Sequence, residues 1–524
     1  GFVYRFELDA VGKVEVELGF DGLRRRYIRD KAGRVTKVFR PANRTTEYAY
    51  DEAGRMVGAR HDTGEAEAFA YRADGELIEA ANGSAVVTLE RDRLGRVVKE
   101  VVGDDWVASD YDALGMRTRL RSSKGLDHRI TRDAAGRAIG IRATVGGSGA
   151  SAEAWEARVT RDVLGLEIER SLPGGVKARW ERDAVGRPVR QEVSATGEFR
   201  RAVQYTWDVS DRLRMVIDAT RGPTKYEHDA LGNLAAATYA DGRFDLRLPD
   251  AVGNLFRTRD RSDRKYGPAG QLLEARHEDG RVTRYAYDGE GNLVKKIDLP
   301  PGAVVDAEGQ AWSYQWNGAG LLAKVVRPDG DEVTFAYDAM GRRLSKTFRA
   351  RTTRWIWDAN VPLHEWVEQG AAPPPMVDAR STENVDLDES ADRRLKAERA
   401  GRPSLGPPDR SAPERGTAAR PVTWLFDPET FAPAAKLVGS ARYAIVTDHL
   451  GTPAAMYDEA AAEVWSAAID AYGDLREVTG DRFACPFRWP GQYQDEETGL
   501  YYNRWRYYDA TTGEYCSQDP ASLA

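Results

Sequence analysis

Apolar and polar residues alternate along most of this chain in short runs, cut at a regular interval by an aspartate-to-glycine turn. In Val333-Thr334-Phe335-Ala336-Tyr337-Asp338 every second residue is large and apolar, a D-x-x-G tetrad follows, and residues 342–346 alternate again. A period of two is that of a half-buried strand. Each unit therefore predicts a strand, a tight turn and a return strand. The unit reads Y-x-Y-D-x-x-G-R/N and stands cleanly at residues 48–55 and 285–292. Its glycines fall at Gly12, Gly33, Gly54, Gly75, Gly95, Gly115, Gly136, Gly165, Gly186, Gly232, Gly253, Gly270, Gly291, Gly320 and Gly341, with Asp211 where one more is due. Most steps are 20 or 21 residues. A fixed period of this size marks a repeat architecture in which each unit buries its apolar face by stacking on its neighbours.

Aspartate at the head of the tetrad can bond the backbone two residues on, and glycine at its end tolerates positive φ. Between tetrads lies a second turn signal, Asp241-Gly242, Asp279-Gly280 or Asp329-Gly330, the strong hairpin dipeptide. One repeat is then one hairpin. Successive hairpins predict an all-β protein: a long antiparallel meander wound into a spiralling sheet, with paired tyrosines laddering neighbouring strands on one face.

Composition changes the picture little. With 30% charged residues, 50 glycines and a mean hydropathy of −0.58, this is a wall with much wet surface rather than a thick dry core. A net charge of −7 gives no general attraction for nucleic acid or anionic membranes, and the arginines are scattered among acids. No 18-residue apolar run predicts a membrane span. Gly1-Phe2-Val3-Tyr4 opens directly into a strand, so the chain reads as a piece of something longer. Cys485 and Cys516 are too few for a disulfide scaffold; they read as small buried thiols that lie close enough to touch. The six histidines form no metal-ligand spacing, and no glycine-rich phosphate loop precedes a helix, so neither metal nor cofactor is expected. His449, in Asp448-His449-Leu450-Gly451, reads as a turn or packing residue.

From residue 368 to 421 the pattern stops and proline-rich, mixed-charge sequence replaces it, a loop or disordered insertion. This divides the chain into a repeat segment, 1–367, the insertion, 368–421, and a terminal segment, 422–524. The last carries Asp448-His449-Leu450-Gly451-Thr452-Pro453, then Gly491-Gln492-Tyr493, then Asp495-Glu496-Glu497-Thr498-Gly499-Leu500, then Arg506-Tyr507-Tyr508-Asp509. It closes on Asp519-Pro520-Ala521-Ser522-Leu523.

Some fifteen tetrads in register followed by D-H-L-G-T-P, G-Q-Y-x-D-E-E-T-G-L and R-Y-Y-D resemble the YD-repeat shell of an Rhs protein with its Rhs-associated core. The resemblance covers nearly everything outside the insertion. It implies a hollow β-shell around a variable C-terminal toxin, and a terminal segment that acts as an autoprotease and frees the toxin inside the cage. It further implies a toxin guest not encoded in these residues, a secretion spike or adaptor, an immunity protein, and bacterial cytoplasmic synthesis followed by delivery, commonly by type VI secretion.

The same resemblance places the cut after a D-P-x-G-L motif, here Asp519 to Leu523 with Ser522 at the glycine position, so that Leu523 and Ala524 flank the bond. It implies two catalytic aspartates, carried to Asp495 and Asp519. Peptide hydrolysis by two carboxyls needs one ionised to activate water and one protonated, a split that close carboxylates impose on one another. Residues 500–508 read as one straight strand, which would hold Asp495 and the rival Asp509 roughly 25–30 Å apart. The returning strand, 514–519, then brings Asp519 back toward the Asp495 end.

A second reading stays open. The chain is then a structural or adhesive wall binding carbohydrate or a protein partner, with Asp495 and Asp519 as inert turn residues. The tyrosine-rich run 501–508 is the surface such an adhesin would expose, although alternating strand tyrosines usually pack a wall.

Overall fold

Every D-x-x-G unit closes its hairpin with one set of bonds. In the unit at residues 48–55, Asp51 N donates to Arg55 O (3.0 Å) and Gly54 N to Asp51 O (3.0 Å). The Asp51 carboxylate accepts from Arg55 N (2.9 Å) and from Arg55 Nε (2.6 Å). Gly54 sits at φ 82°, where a Cβ is strained, and Asp211 (φ 60°) and Ala461 (φ 63°) take the same conformation in tetrads without glycine. The repeating arginine also ties units together, since Arg55 Nη1 reaches Arg72 O (2.8 Å) at the next turn. The second tyrosine does the same backwards: Tyr50 Oη donates to Val35 O (2.8 Å) and Tyr337 Oη to Leu322 O (2.7 Å). Each repeat thus satisfies its neighbours' exposed carbonyls.

In this computed structural model, residues 4–19, 22–146, 154–267, 270–303, 309–370 and 420–518 are described. Among them there is no α-helix. Strands pair with their sequence neighbours, antiparallel throughout. A first sheet of 23 strands runs from Arg5–Leu8 to Phe244–Leu246, and a second of 16 strands from Arg264–Tyr266 to Leu475–Thr479. The chain is an all-β spiral of YD hairpins forming a hollow shell.

The spiral is visible in how the two sheets meet. Arg117 pairs with Asp358 (2.5 Å), Gln191 Nε2 donates to Thr447 O (2.8 Å), and Arg170 pairs with Asp427 (2.7 Å). These partners lie 241, 256 and 257 positions apart, and other contacts across the seam range from 224 (Arg247 to Ala471) to 291 (Ala138 to Glu429), so one turn of the wall takes about 220–290 residues. At its middle His364 is buried and hydrogen-bonded at Nε2 to Ser122 Oγ (2.7 Å) and at Nδ1 to Thr423 Oγ1 (2.9 Å). Leu120, Trp155 and Val176 of the first sheet share one core with Leu363, Leu425 and Tyr457 of the second.

The insertion leaves the wall continuous. The strand Val361–Gln369 pairs directly with Val422–Phe426, His364 opposite Thr423, so one sheet crosses the expected boundary at 367. Residues 371–419 of the insertion lie outside the described residues. The two cysteines are separate: Cys485 packs with Trp424 and Phe487, Cys516 with Tyr507 and Tyr314, and both are free buried thiols. His449 packs its ring against Tyr205 (4.7 Å) and Trp207 (5.9 Å).

Candidate functional site

The terminal segment leaves the wall and folds into a four-stranded sheet of its own. Its strands are Tyr493–Gln494, Tyr501–Asn503, Arg506–Asp509 and Glu514–Tyr515. The expected single strand over 500–508 is instead a hairpin, with Tyr501 opposite Tyr508 and Asn503 opposite Arg506. It turns at Arg504, which takes a left-handed backbone (φ 58°) without any glycine, and whose Nη2 donates to Met340 O (2.8 Å) on the wall. The tyrosines alternate to two buried faces. Tyr502 and Tyr507, with Leu500 and Cys516, join the wall core around Phe335, Trp355 and Trp357; Tyr508 donates from its hydroxyl to Tyr472 O (2.7 Å) and Tyr501 to Gly473 O (3.0 Å). The four tyrosines of this run are therefore buried, and Trp505 at the turn is the aromatic it exposes.

That extra turn reverses the expected geometry. Gln494 opposes Tyr501 and Tyr501 opposes Tyr508, so Asp495 and Asp509 lie at the same end and on the same face, two strands or about 10 Å apart, with Leu500 between them. Gln518 lies at the other end. Cys516 N bonds Tyr507 O (2.8 Å), and Gln518 packs against the Gly291 turn. From Asp495 this is three strands across and four residues along, roughly 19 Å. Asp519, Leu523 and Ala524 lie outside the described residues.

Asp495 has no exposed surface. Its Oδ2 accepts from Arg343 Nη1 (2.6 Å) and its Oδ1 from Lys346 Nζ (3.1 Å), while Lys346 also pairs with Glu497. Burial alone pushes this carboxyl up, but the charges and hydrogen bonds of Arg343 and Lys346 together hold it below the usual carboxylate range. Asp509 is likewise buried. Burial raises it, and Lys296 (3.2 Å) with the hydroxyl and backbone N–H of Thr511 brings it below its ordinary value. Both carboxylates are ionised, each clamped by a cation of the wall. The Arg343 guanidinium is itself boxed by rings, 4.3 Å from the centroid of Trp355 and 4.4 Å from that of Tyr502, and its Nη1 reaches Tyr507 Oη (3.3 Å).

Arg343, Lys346 and Lys296 are not among the residues expected from the sequence. A signal was present for the first: Arg343 stands where the three repeats before it carry the buried Leu272, Leu293 and Leu322. Among the described residues no cluster of His, Cys, Asp and Glu is placed to hold a metal ion, and no helix is long and apolar enough to cross a membrane.

Three family models match this chain: Teneurin YD-shell over residues 176–357, RHS Repeat over 29–66 and RHS protein over 443–479. The chain belongs to the Rhs/YD-repeat family. Among curated Rhs relatives it is similar to Toxin protein Tse5 of Pseudomonas aeruginosa, 32% identical over 346 residues, which cover 62% of this chain and 24% of that protein. It also resembles Double-stranded DNA deaminase toxin A of Burkholderia cenocepacia, 29% identical over 392 residues, 69% of this chain and 24% of that one. The chain thus spans about a quarter of the length of the Rhs proteins it matches. In fold it is similar to the crystal structure of TcdB2-TccC3 without its hypervariable C-terminal region, with a TM-score of 0.67 and 15% identity, covering 99% of this chain and 27% of that one.

Proposed function

We propose that this Rhs chain is the wall of a container that carries a C-terminal toxin and cuts it free by hydrolysis of the Leu523–Ala524 bond. The observation that carries the reading is the small terminal sheet, which holds Asp495 and Asp509 on one face, two strands or about 10 Å apart, against the wall cations Arg343, Lys346 and Lys296. The toxin names of the relatives, and the quarter of their length that this chain spans, support a guest encoded beyond it. A secretion spike or adaptor, an immunity protein and export into a target cell belong to the same reading.

The chemistry consumes one water. An ionised carboxylate takes its proton as the oxygen attacks the Leu523 carbonyl carbon, the second carboxylate orients the water, and the carboxyl so protonated passes its proton to the leaving nitrogen as the C–N bond breaks to give a Leu523 carboxylate and an Ala524 amine. Asp495 supplies one carboxyl. Asp509 is the second that the register favours, since Asp519 follows Gln518 by one residue and Gln518 is roughly 19 Å from Asp495. The five residues from Gln518 to Leu523 span at most about 18 Å, which covers the roughly 14 Å to Asp509, one strand across and four residues along, and brings the bond within side-chain reach of Asp495.

The test is intact-mass analysis of a chain extended into its native downstream domain, as wild type and as Asp495→Asn, Asp509→Asn and Asp519→Asn. Splitting after Leu523 in wild type and Asp519→Asn, with the other two whole, is the expected pattern. If Asp519→Asn is the whole one and Asp509→Asn splits, the pair is Asp495 with Asp519. A passive wall is the competing reading, favoured by the complete ion pairing of both buried aspartates; a wild type that stays whole establishes it.

A further inference from the structure

Beside Arg343 the terminal sheet and the wall enclose a cavity of about 40 Å³. Its sides are aromatic, Trp355, Trp357, Phe487 and Tyr502, and half-exposed Phe431 stands at its mouth. A single water needs only about 10–15 Å³, so the space holds three or four atoms in a row, the size of the branched end of a leucine. Two residues that line it, Arg343 and Gln492, 1% and 5% exposed, each carry a buried side-chain atom without a hydrogen-bond partner: Arg343 Nε, a donor, and Gln492 Oε1, an acceptor. Buried polar groups without partners are rare and costly. One donor and one acceptor beside an apolar slot is what a stretch of peptide backbone with an apolar side chain satisfies.

We infer that this cavity is the subsite for Leu523, the residue on the carboxyl side of which the chain is cut; the inference rests on the cleavage reading above. The isobutyl group fills the slot, Gln492 Oε1 accepts a backbone N–H, and Arg343 Nε donates to the Leu523 carbonyl oxygen. Arg343 then touches both Asp495 and the reacting carbonyl, so its charge stabilises the oxyanion as water adds. The place of exit agrees. Gly491 and Arg504, which line the cavity, stand at the same end of the small sheet as Gln518, where the described chain leaves it. The gap is three strand spacings, about 14 Å. Five residues reach about 18 Å.

Two experiments on the extended chain separate this from the reading beneath it. In the first, Leu523→Asp and the slot-filling Val361→Phe each slow cleavage at least tenfold, while Leu523→Met stays within threefold of wild type; cleavage of Leu523→Asp at the wild-type rate overturns the subsite and leaves the container intact. The second needs no cleavage: in an Asp495→Asn background, Val361→Cys with Leu523→Cys forms a disulfide on mild oxidation, read by mass and by loss on reduction. Val361→Cys with Ala521→Cys is the control. No bond in the first pair, or equal bonding in both, overturns the subsite. A bond specific to Leu523 in a chain whose wild type never splits keeps the docking site and removes the hydrolysis.

Discussion

Lys296 and Lys346 occupy the same position in two YD repeats, eight residues past Asp288 and Asp338, and each ends on an aspartate of the terminal sheet, Lys296 on Asp509 and Lys346 on Asp495. At the matching position of the repeat between them stands Val325, packed in the core that holds Tyr507. The wall thus offers cation, apolar contact, cation. The inner segment answers with carboxylate, leucine, carboxylate, Leu500 sharing the core of Val325. Docking of the terminal sheet is specified by this complement, and the two aspartates acquire their charge state from a wall folded some 150 to 210 residues upstream.

Breaking one clamp leaves a buried charge alone. Lys296→Met should destabilise the docked sheet by about 3–5 kcal/mol, the cost of stranding the buried Asp509 carboxylate, whereas Lys296→Met with Asp509→Leu should recover much of it. Limited proteolysis across residues 481–518, together with the thermal midpoint, reads both. Equal stability of the single and double variants would count against the clamp.

Acid should undock the sheet. Asp495 and Asp509 have folded pKa values depressed below the ordinary 3.8, so their contribution is complete above that value and is lost as pH falls through the lower folded pKa. Urea midpoints from pH 5 to pH 2 should drop, and Asp495→Asn should flatten the drop.

The seam carries a second, milder acid response. Burial holds His364 at about 3, against an ordinary 6.5. Between those values the unfolded chain takes up a proton that the folded seam refuses, so stability falls as pH falls below 6.5, by at most about 1.4 kcal/mol per unit. His364→Gln should remove that slope between pH 6.5 and 4; an unchanged slope in a folded variant would show that other groups cause it.

Two turn glycines should respond differently to the same change. Both Gly12 (φ 82°) and Gly341 (φ 74°) sit in the left-handed region, but a Cβ at Gly12 meets nothing within 4 Å, whereas one at Gly341 lies 2.0 Å from the Trp505 ring. Gly12→Ala should cost about 1 kcal/mol for backbone strain. Gly341→Ala adds about 1–3 kcal/mol of overpacking and should shift tryptophan emission as Trp505 is displaced.

What was legible in the sequence was whatever is written within one repeat. Asp51 and Arg55 close a turn through bonds four residues apart, so the D-x-x-G-R spelling alone determines the hairpin, and its recurrence determines the all-β spiral. The hairpin at residues 501–509 carries no such spelling. Its turn places Arg504 in a left-handed backbone with no glycine, and Met340 and Asn360 of the wall supply the bonds that hold it there. Read locally, those residues make a straight strand. That single difference moves Asp509 to the Asp495 end and leaves Gln518 at the other. The ionisation of the aspartates was equally out of local view, because the cations that set it come from repeats 150 and more residues earlier. By itself the sequence determined the wall, since each hairpin is stabilised by its own residues and its neighbour's. Only the tertiary structure decided which aspartates share an end and a face of the terminal sheet and which cations hold them, because that depends on a turn and on charges supplied from across the shell.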